Sequence, residues 1–272
     1  LNTAYTLLAG RNYLKMYQAW HAHLDYQYRH VSGLTLNGGL RYQDRQPLGN
    51  SNLFSWQRKP AFTENYPTEK LPGYEPRHQA LSLSLEGQYQ PGRKYIKYPD
   101  RIESEPSAWP TFGARVQVGR PALNSDIDYG QWRVFMHDHM NLNLWGHFSY
   151  RLSSGGFLYN HKSYVADYTH FNGGQMILAS PYLNSFQLSP YYLNSNTERL
   201  YMTLNAEHHF MGLLTNKLPL FRKLKWYLVA ASNAYYVNST NNYVEVSAGL
   251  ENVGFKQFKL FRVDGLVGYT NF

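Results

Sequence analysis

The sequence predicts an all-β protein, a transmembrane antiparallel up-and-down β-barrel, and three observations lead to this prediction. Long segments alternate apolar and polar side chains with the period of two that β-strands have. Most of them fit a membrane-crossing strand of ~9 to 11 residues better than a soluble strand of ~5 or 6. Aromatic residues lie near the segment ends, as in the aromatic girdles of outer-membrane barrels.

The alternation predicts about ten strands. In the stretch LSLSLE at 81–86, for example, the leucines share one face, and the serines and the glutamate share the other. No segment long enough for a packed helix repeats with a helical period, so the chain is expected to be all-β. The predicted strands cover residues 12–29, 33–45, 78–90, 111–119, 131–140, 143–153, 198–210, 223–237, 243–251 and 258–270.

The two faces of these strands are expected to meet different surroundings. Arginine should be costly on the lipid face and tolerated at the neighbouring lumenal positions. We expect lipid contact at Leu81, Leu83, Leu85, Val244, Val246 and Ala248, and a lumenal position for Ser82, Ser84, Glu86, Glu245 and Ser247.

The connections between the strands alternate in length, and outer-membrane barrels have short periplasmic turns and long external loops. By this rule the 20 residues of 91–110 lie on the periplasmic side, and 238–242 is a short external connection. The tyrosine-rich connection at 169–200 is expected to be an external lid or ligand contact, or else only an ordered cap. The short connections are 30–32, 141–142, 211–222 and 252–257, and the long ones are 46–77, 120–130 and 154–197.

One domain is expected over residues 1–272, because no linker rich in Pro, Gly or Ser divides the chain. The last predicted strand rises from the periplasm to the outside. A single-chain bacterial barrel returns to the periplasm with an even number of strands. We therefore expect the carboxy-terminal portion of a larger barrel, with one closing strand missing after Phe272.

The composition excludes several classes of protein. The 272 residues contain no cysteine, which rules out disulfides and thiolate metal sites. The apolar runs are far shorter than the ~20 residues that a membrane-spanning helix needs. The formal net charge is +8, but the basic residues are scattered along the chain, so we expect no nucleic-acid partner.

Ionisable residues are expected on the polar, lumenal face of the strands. The histidines among them form two pairs with the spacing i, i+2, which puts each pair on one face, where two imidazoles could share an ion. The spacing provides no third or fourth ligand, so we predict no metal site, no cofactor and no catalytic residue. The lumenal polar residues are His21, His23, His137, His139, Glu207 and His209.

A turn that mixes leucines with basic residues lies between two predicted strands, at 211–222. At the periplasmic membrane surface its leucines could enter the acyl boundary while its basic side chains reach lipid phosphates. Docking of a partner protein through the same leucines is the alternative. We assign this interfacial turn to Lys217, Pro219, Arg222, Lys223 and Lys225.

Five stretches of the chain resemble a known family: LNTAYTLLAGRNYLKMY at 1–17, PGRKYIKYPDR at 91–101, LSSGGFL at 152–158, HFNGG at 170–174 and AEHHFMGLLTNKLPLFRKLKW at 206–226. They are similar to the carboxy-terminal barrel of a Bacteroidetes outer-membrane family of unassigned function. Full members of that family carry an amino-terminal carboxypeptidase-like regulatory domain, and the family is distantly similar to BamA-type assembly barrels. The resemblance implies a barrel that continues beyond both ends of this chain.

Together these features favour an integral β-barrel protein in the outer membrane of a Gram-negative bacterium, with lipid and envelope proteins as partners. We expect a scaffold, a channel or a component of an assembly or transport complex. No G-x-S-x-G, phosphate-loop or H-E-x-x-H motif occurs, so no enzymatic activity is expected. Two alternatives stay open: an outer-membrane enzyme that uses the lumenal histidines, and a soluble β-sandwich that binds glycans through exposed tyrosines.

Overall fold

The regular structure of the chain consists almost entirely of β-strands in a computed structural model. The structure describes residues 2–13, 15–49, 54–67, 75–105, 107–174, 180–190, 192, 195–196, 198–255 and 258–271. Within these residues the strands are β1 (Tyr17–Arg29), β2 (Leu34–Pro47), β3 (His78–Tyr89), β4 (Lys94–Lys97), β5 (Ile102–Glu105), β6 (Thr111–Gly119), β7 (Asp128–Asn141), β8 (His147–Lys162), β9 (Tyr201–His209), β10 (Tyr227–Tyr236), β11 (Asn242–Phe255) and β12 (Phe258–Asn271).

Ten of the described strands form one antiparallel sheet with the order β1-β2-β3-β6-β7-β8-β9-β10-β11-β12. Each strand of this sheet pairs with the next one along the chain, as in an up-and-down meander. The other two, β4 and β5, form a separate hairpin in the connection between β3 and β6. Among the described residues β1 and β12 are the two edges, so the sheet is open. The all-β antiparallel prediction is confirmed, while closure into a barrel stays a prediction.

The sequence pattern does not predict two short helices or the hairpin of β4 and β5. Helix α1 (Asn2–Ala9) precedes β1, and helix α2 (Pro219–Leu224) lies between β9 and β10. Helix α1 is held by the loop after β2, since the N–H of Trp56 donates to the carbonyl of Leu7 at 2.9 Å. Strands β4 and β5 have 4 residues each, too few to show an alternation. No helix in the described part of the chain is long and apolar enough to cross a membrane.

Most strand boundaries differ from the predicted ones by a few residues, and three strands show the larger differences. The first strand begins at Tyr17 rather than near residue 12, because α1 and the segment after it precede it. Strand β10 begins at Tyr227 because α2 and Lys225 complete the turn before it, with Lys225 in the left-handed region at φ 55. Strand β8 continues to Lys162, well past the predicted end at 153.

The two faces of the sheet are inverted relative to those of a soluble protein. On one face apolar side chains are exposed, such as Leu85 at 61% and Val246 at 55%, and on the other face polar side chains are covered, such as Glu245 at 2% and Asn233 at 1%. Directly paired residues point to the same side, so each face is continuous across the strands. The exposed apolar face carries Trp20, Leu24, Tyr26, Leu40, Leu83, Leu85, Val116, Val134, Leu152, Leu204, Val244, Val246, Val263 and Val267.

The buried hydrophobic core lies between the polar face of the sheet and the loops that cover it. Its aromatic members come from both the strands and the connection between β8 and β9, so the sheet and that connection pack as one unit. One cluster contains Phe171, Phe186, Tyr201, Tyr235, Val237 and Tyr243, and the other contains Ala80, Ile127, Tyr129 and Phe157.

Candidate functional site

The connection between β8 and β9 folds back over the polar face of the sheet. Its residues 180–190, here called the inner loop, contact strands β8 to β12 through their backbone and side chains. Asn205 on β9 donates its side-chain amide to the carbonyl of Tyr182 at 3.4 Å, and Asn233 on β10 donates to the carbonyl of Ser185 at 3.3 Å. The inner loop therefore occupies the space that the polar face encloses.

Glu245 on β11 is the centre of this contact. Its Oε1 accepts the N–H of Gln187 and the side-chain amide of Asn233, both at 2.8 Å. Its Oε2 accepts the N–H of Leu188 at 3.1 Å and the hydroxyl of Tyr243 at 2.7 Å. A buried carboxylate is costly unless it is hydrogen-bonded, and charge-assisted hydrogen bonds are the stronger kind. Glu245 thus holds the inner loop against β10 and β11.

An aromatic cluster packs beside this carboxylate. The rings of Phe171 and Tyr235 stack with centroids 4.5 Å apart, and Phe186 meets Tyr235 edge to face at 4.9 Å. Tyr243, which bonds Glu245, stacks on Tyr235 at 5.4 Å. Such pairs contribute ~0.5 to 1.5 kcal/mol beyond the area they bury. The aromatic side chains and the carboxylate therefore hold the same stretch of loop.

A buried ion pair joins the same connection to β2. Nη1 of Arg45 lies 2.8 Å from Oδ1 of Asp167, and their side chains are 7% and 1% exposed. Asp167 also accepts the hydroxyl of Tyr129 at 3.3 Å and the N–H of Tyr164 at 3.1 Å. Removing one partner of a buried pair leaves an uncompensated charge, which typically costs ~3 to 5 kcal/mol. The connection is thus attached to the sheet at two distant places.

A third group of charged side chains lies at the end of the polar face opposite Arg45 and Asp167. It contains two of the predicted lumenal residues, Glu207 and His209. Nδ1 of His209 is 2.8 Å from Glu251, and its Nε2 is 3.6 Å from Glu207. Arg262 on β12 pairs with Glu207 and places its guanidinium carbon 4.2 Å from the ring centroid of Tyr182 in the inner loop. This arrangement connects β9, β11 and β12 to the loop by charge and by cation–π contact.

The predicted histidine pairs lie on the polar face but far from each other. His21 and His23 stack on β1 with ring centroids 5.5 Å apart. His137 and His139 lie on β7, and β2, β3 and β6 separate the two strands, which corresponds to ~19 Å at the usual strand spacing. The structure therefore does not bring the two pairs to one ion. The described residues contain no group of three His, Asp or Glu side chains that could hold a metal.

One histidine contacts a serine on the neighbouring strand. Nδ1 of His139 lies 2.5 Å from Oγ of Ser149, and the ring of His147 stacks on His139 at 5.6 Å. A nucleophilic serine needs a histidine that a third group orients. No described side chain bonds the remaining nitrogen of His139, so this pair has the first two members of such an arrangement and not the third.

The predicted interfacial turn is an exposed helical segment between β9 and β10. Pro219 starts α2, Leu218 and Leu220 are exposed, and Phe221 packs near Trp226 with ring centroids 6.2 Å apart. The turn thus presents apolar and basic side chains to the surroundings together. The basic residues, all exposed, are Lys217, Arg222, Lys223 and Lys225.

A family model described as the C-terminal domain of a family of unknown function, DUF5686, matches residues 1–250. The chain belongs to this family. Comparison with curated proteins found no match. Membership agrees with the predicted resemblance to a family of unassigned function, while a Bacteroidetes origin and a closed barrel stay predictions.

In this DUF5686 domain the matched residues extend into β11 and include the inner loop and Glu245. The alternation puts Glu245 on the polar face, but no sequence signal shows that it binds a loop more than fifty residues earlier, since Gln187 and Glu245 are 58 positions apart. Asp167 lies in a stretch without periodicity, so the sequence also does not predict its ion pair with Arg45. The amide side chains of Asn205 and Asn233 are too common on polar strands to be singled out.

Replacing Glu245 by Gln should release the inner loop. The carboxylate accepts hydrogen bonds from backbone N–H groups, whereas the amide would turn its own N–H donors toward them. This change should lower the free energy of unfolding by about 3 kcal/mol. We expect faster protease cleavage within residues 180–190 and a lower denaturation midpoint. Glu86→Gln is the matched control, because Glu86 is on the same face, is half-buried and bonds Gln88. Equal effects of the two substitutions would contradict this role of Glu245.

His170 lies in the connection between β8 and β9 and is expected to make the stability of the fold depend on pH. Its Nε2 donates to the carbonyl of Val165 at 2.7 Å, and its Nδ1 accepts the hydroxyl of Ser195 at 2.7 Å, so the neutral ring is bonded on both sides. Burial lowers the pKa of His170 below the ordinary value of 6.5. The unfolded chain therefore binds this proton at a higher pH than the folded chain does. Stability should fall as the pH drops below about 6.5.

The pH effect of His170 can be measured as the difference between the native chain and His170→Gln. Burial raises the pKa of Glu75, so the stability that Glu75 contributes is lost as the pH rises, opposite to the effect of His170. Because both chains contain Glu75, its effect cancels in the difference between them. We expect the denaturation midpoint of the native chain to fall more steeply between pH 7 and pH 5 than that of the variant. His161→Gln, at an exposed position, is the control. Parallel pH profiles for all three chains would refute the assignment.

Proposed function

We propose that this chain is the membrane-embedded part of an outer-membrane protein of a Gram-negative bacterium, and that it serves as a scaffold in an envelope complex. The observation that carries this proposal is the inverted burial of the sheet, with its apolar face exposed and its polar face covered over β8 to β11. A contiguous apolar surface of this extent needs a non-aqueous contact. Lipid on the apolar face supplies that contact for every strand of the sheet at once.

Strand length supports the same placement. Strands β7, β11 and β12 have 14 residues each and β8 has 16, whereas a tilted strand crosses a bilayer with ~9 to 11. A lipid-embedded sheet must have no open edge, since an unpaired backbone group in hydrocarbon is costly. In the proposed state β1 and β12 therefore pair with further strands or with each other. A soluble β-sandwich is disfavoured, because it would bury the apolar face.

A scaffold is favoured over an open channel by the inner loop. This loop covers the polar face of β8 to β12, where the aqueous path of a channel would run. Its contacts include a buried carboxylate and stacked aromatic rings, which suit a permanent plug better than a mobile gate. A plugged domain that is fixed in the membrane suits the task of anchoring or assembling partners.

Substitutions on the two faces of β3 test whether the apolar face contacts lipid. Leu83→Arg puts a charge on the apolar face and should cost ~2 to 4 kcal/mol of folding free energy in lipid vesicles, with loss of chain from the outer-membrane fraction. Ser84→Arg is the matched control on the polar face and should cost much less. Ser84 suits this purpose better than Glu245 or Ser247, which are buried beneath the inner loop, so arginine is not expected to be tolerated there. Equal costs at 83 and 84 would exclude lipid contact.

The basic turn is expected to anchor the sheet at the membrane surface. Replacing Arg222, Lys223 and Lys225 together by Gln should slow insertion into anionic vesicles, since each basic residue near an anionic surface contributes ~1 kcal/mol. A matched control replaces three exposed basic residues of connections expected on the opposite side of the membrane, Arg58, Lys59 and Arg120.

Insertion and partner retention are measured separately for both triple variants. Slower insertion of the turn variant alone supports the anchor. Unchanged insertion with loss of a co-purifying protein would mean that the turn is a docking site for a partner rather than a lipid anchor.

A further inference from the structure

A cavity of about 750 Å³ lies where the start of β1 and the end of β2 meet the loops before β3 and after β8. Its volume is in the range of small-molecule sites, ~300 to 1,000 Å³. Most of its wall is apolar or aromatic, and the rings of Tyr17, Tyr66 and Tyr192 contribute to it. The cavity is separate from the inner loop and its carboxylate.

His78, at the start of β3, is a buried residue of this wall, and its ring has one unsatisfied acceptor. Its Nδ1 is 3.0 Å from the carbonyl of Pro76, and because a carbonyl only accepts, Nδ1 carries the proton. Its ring stacks on Tyr164 with centroids 3.6 Å apart and nearly parallel planes. The residue is 5% exposed, and Nε2 has no hydrogen-bond partner among the described residues. A buried acceptor of this kind is costly unless a donor reaches it.

Glu75 provides a second acceptor in the same wall. Its Oε1 accepts the N–H of Val165 at 2.6 Å, which fixes the carboxylate against the loop after β8. The cations in the wall are already engaged: Arg45 binds Asp167 at 2.8 Å, and Lys15 donates to the carbonyl of Glu64 at 2.8 Å. The cavity therefore offers acceptors to a ligand rather than free cations.

We propose that this cavity binds a pyranose sugar. A pyranose ring has an apolar face of C–H groups that suits the aromatic wall, and its hydroxyls donate to the Glu75 carboxylate. Nε2 of His78 is covered in this structure, so a hydroxyl reaches it only when the His78 ring shifts toward the ligand. A simple apolar ligand would leave Nε2 of His78 unpaired and offer no donor to Glu75, and an anion would face the Glu75 carboxylate. The proposal rests on the cavity alone and not on the membrane placement of the sheet.

Calorimetry with the chain in a detergent that contains no sugar tests the proposal. Methyl glycosides of glucose, galactose and mannose are the probes for a free sugar. Octyl glucoside below its micelle concentration, compared with octanol, is the probe for a lipid-linked sugar. Saturable binding of a glycoside in either arm supports the site, and the stronger arm identifies the source. Absence of saturable binding in both arms overturns it.

Variants locate the binding. His78→Phe retains a ring to stack on Tyr164 and removes Nε2, while Glu75→Gln retains an acceptor for the N–H of Val165 and removes the charge. Each should weaken sugar binding about tenfold, the loss expected for one good hydrogen bond. His161→Phe, at an exposed position outside the cavity wall, is the matched control and should bind as the native chain does.

A third variant covers the case in which a buried substitution disturbs folding. Tyr17→Ser removes a half-exposed aromatic wall at the mouth of the cavity and should weaken binding several-fold without loss of structure. Unchanged sugar binding in His78→Phe, Glu75→Gln and Tyr17→Ser would overturn the proposal. Binding of choline that glycosides do not displace and that Glu75→Gln abolishes would also overturn it, because the cavity would then be a cation site.

Discussion

The hydrogen bonds between Glu245 and the inner loop determine how the interior of this domain is filled. A carboxylate in that position requires donors, and the backbone N–H groups of Gln187 and Leu188 supply them from a loop rather than from a neighbouring strand. The loop must therefore lie on the polar face, and the aromatic cluster around Tyr235 packs once it does. The buried pair of Arg45 and Asp167 places the earlier part of the same connection against β2.

This arrangement divides the chain between two kinds of surroundings. Over β8 to β11 the polar face of the sheet is covered by loops, and its side chains form hydrogen bonds and ion pairs with each other. The apolar face is uncovered, and its side chains project from every strand of the sheet. A soluble sheet protein buries apolar side chains and hydrates polar ones, so the physical requirements on this fold are reversed. A cavity beside β1 and β2 leaves part of the interior unfilled.

Local sequence and structure agree wherever the structure is long and regular. Strands such as β3 and β11 follow the predicted alternation because a period of two over many residues is a strong signal. The hairpin of β4 and β5 and the helix α2 are four to six residues long, and segments of that length carry no usable period. Their conformation depends on turns and local hydrogen bonds instead. The left-handed conformation of Lys225, for example, ends α2 without a glycine to mark it.

The sequence by itself determined that the chain is an antiparallel sheet with one apolar and one polar face, because side chains of a strand must alternate. It also placed His21, His23, His137, His139, Glu207, His209 and Glu245 on the polar face. Only the tertiary structure decided which of these residues contact each other or a loop. Three strands separate the histidine pairs, whereas Glu245 reaches a loop 58 positions away. Contacts of that kind depend on how loops fold over the sheet, and a loop without a repeating pattern leaves no record of its partner in the sequence.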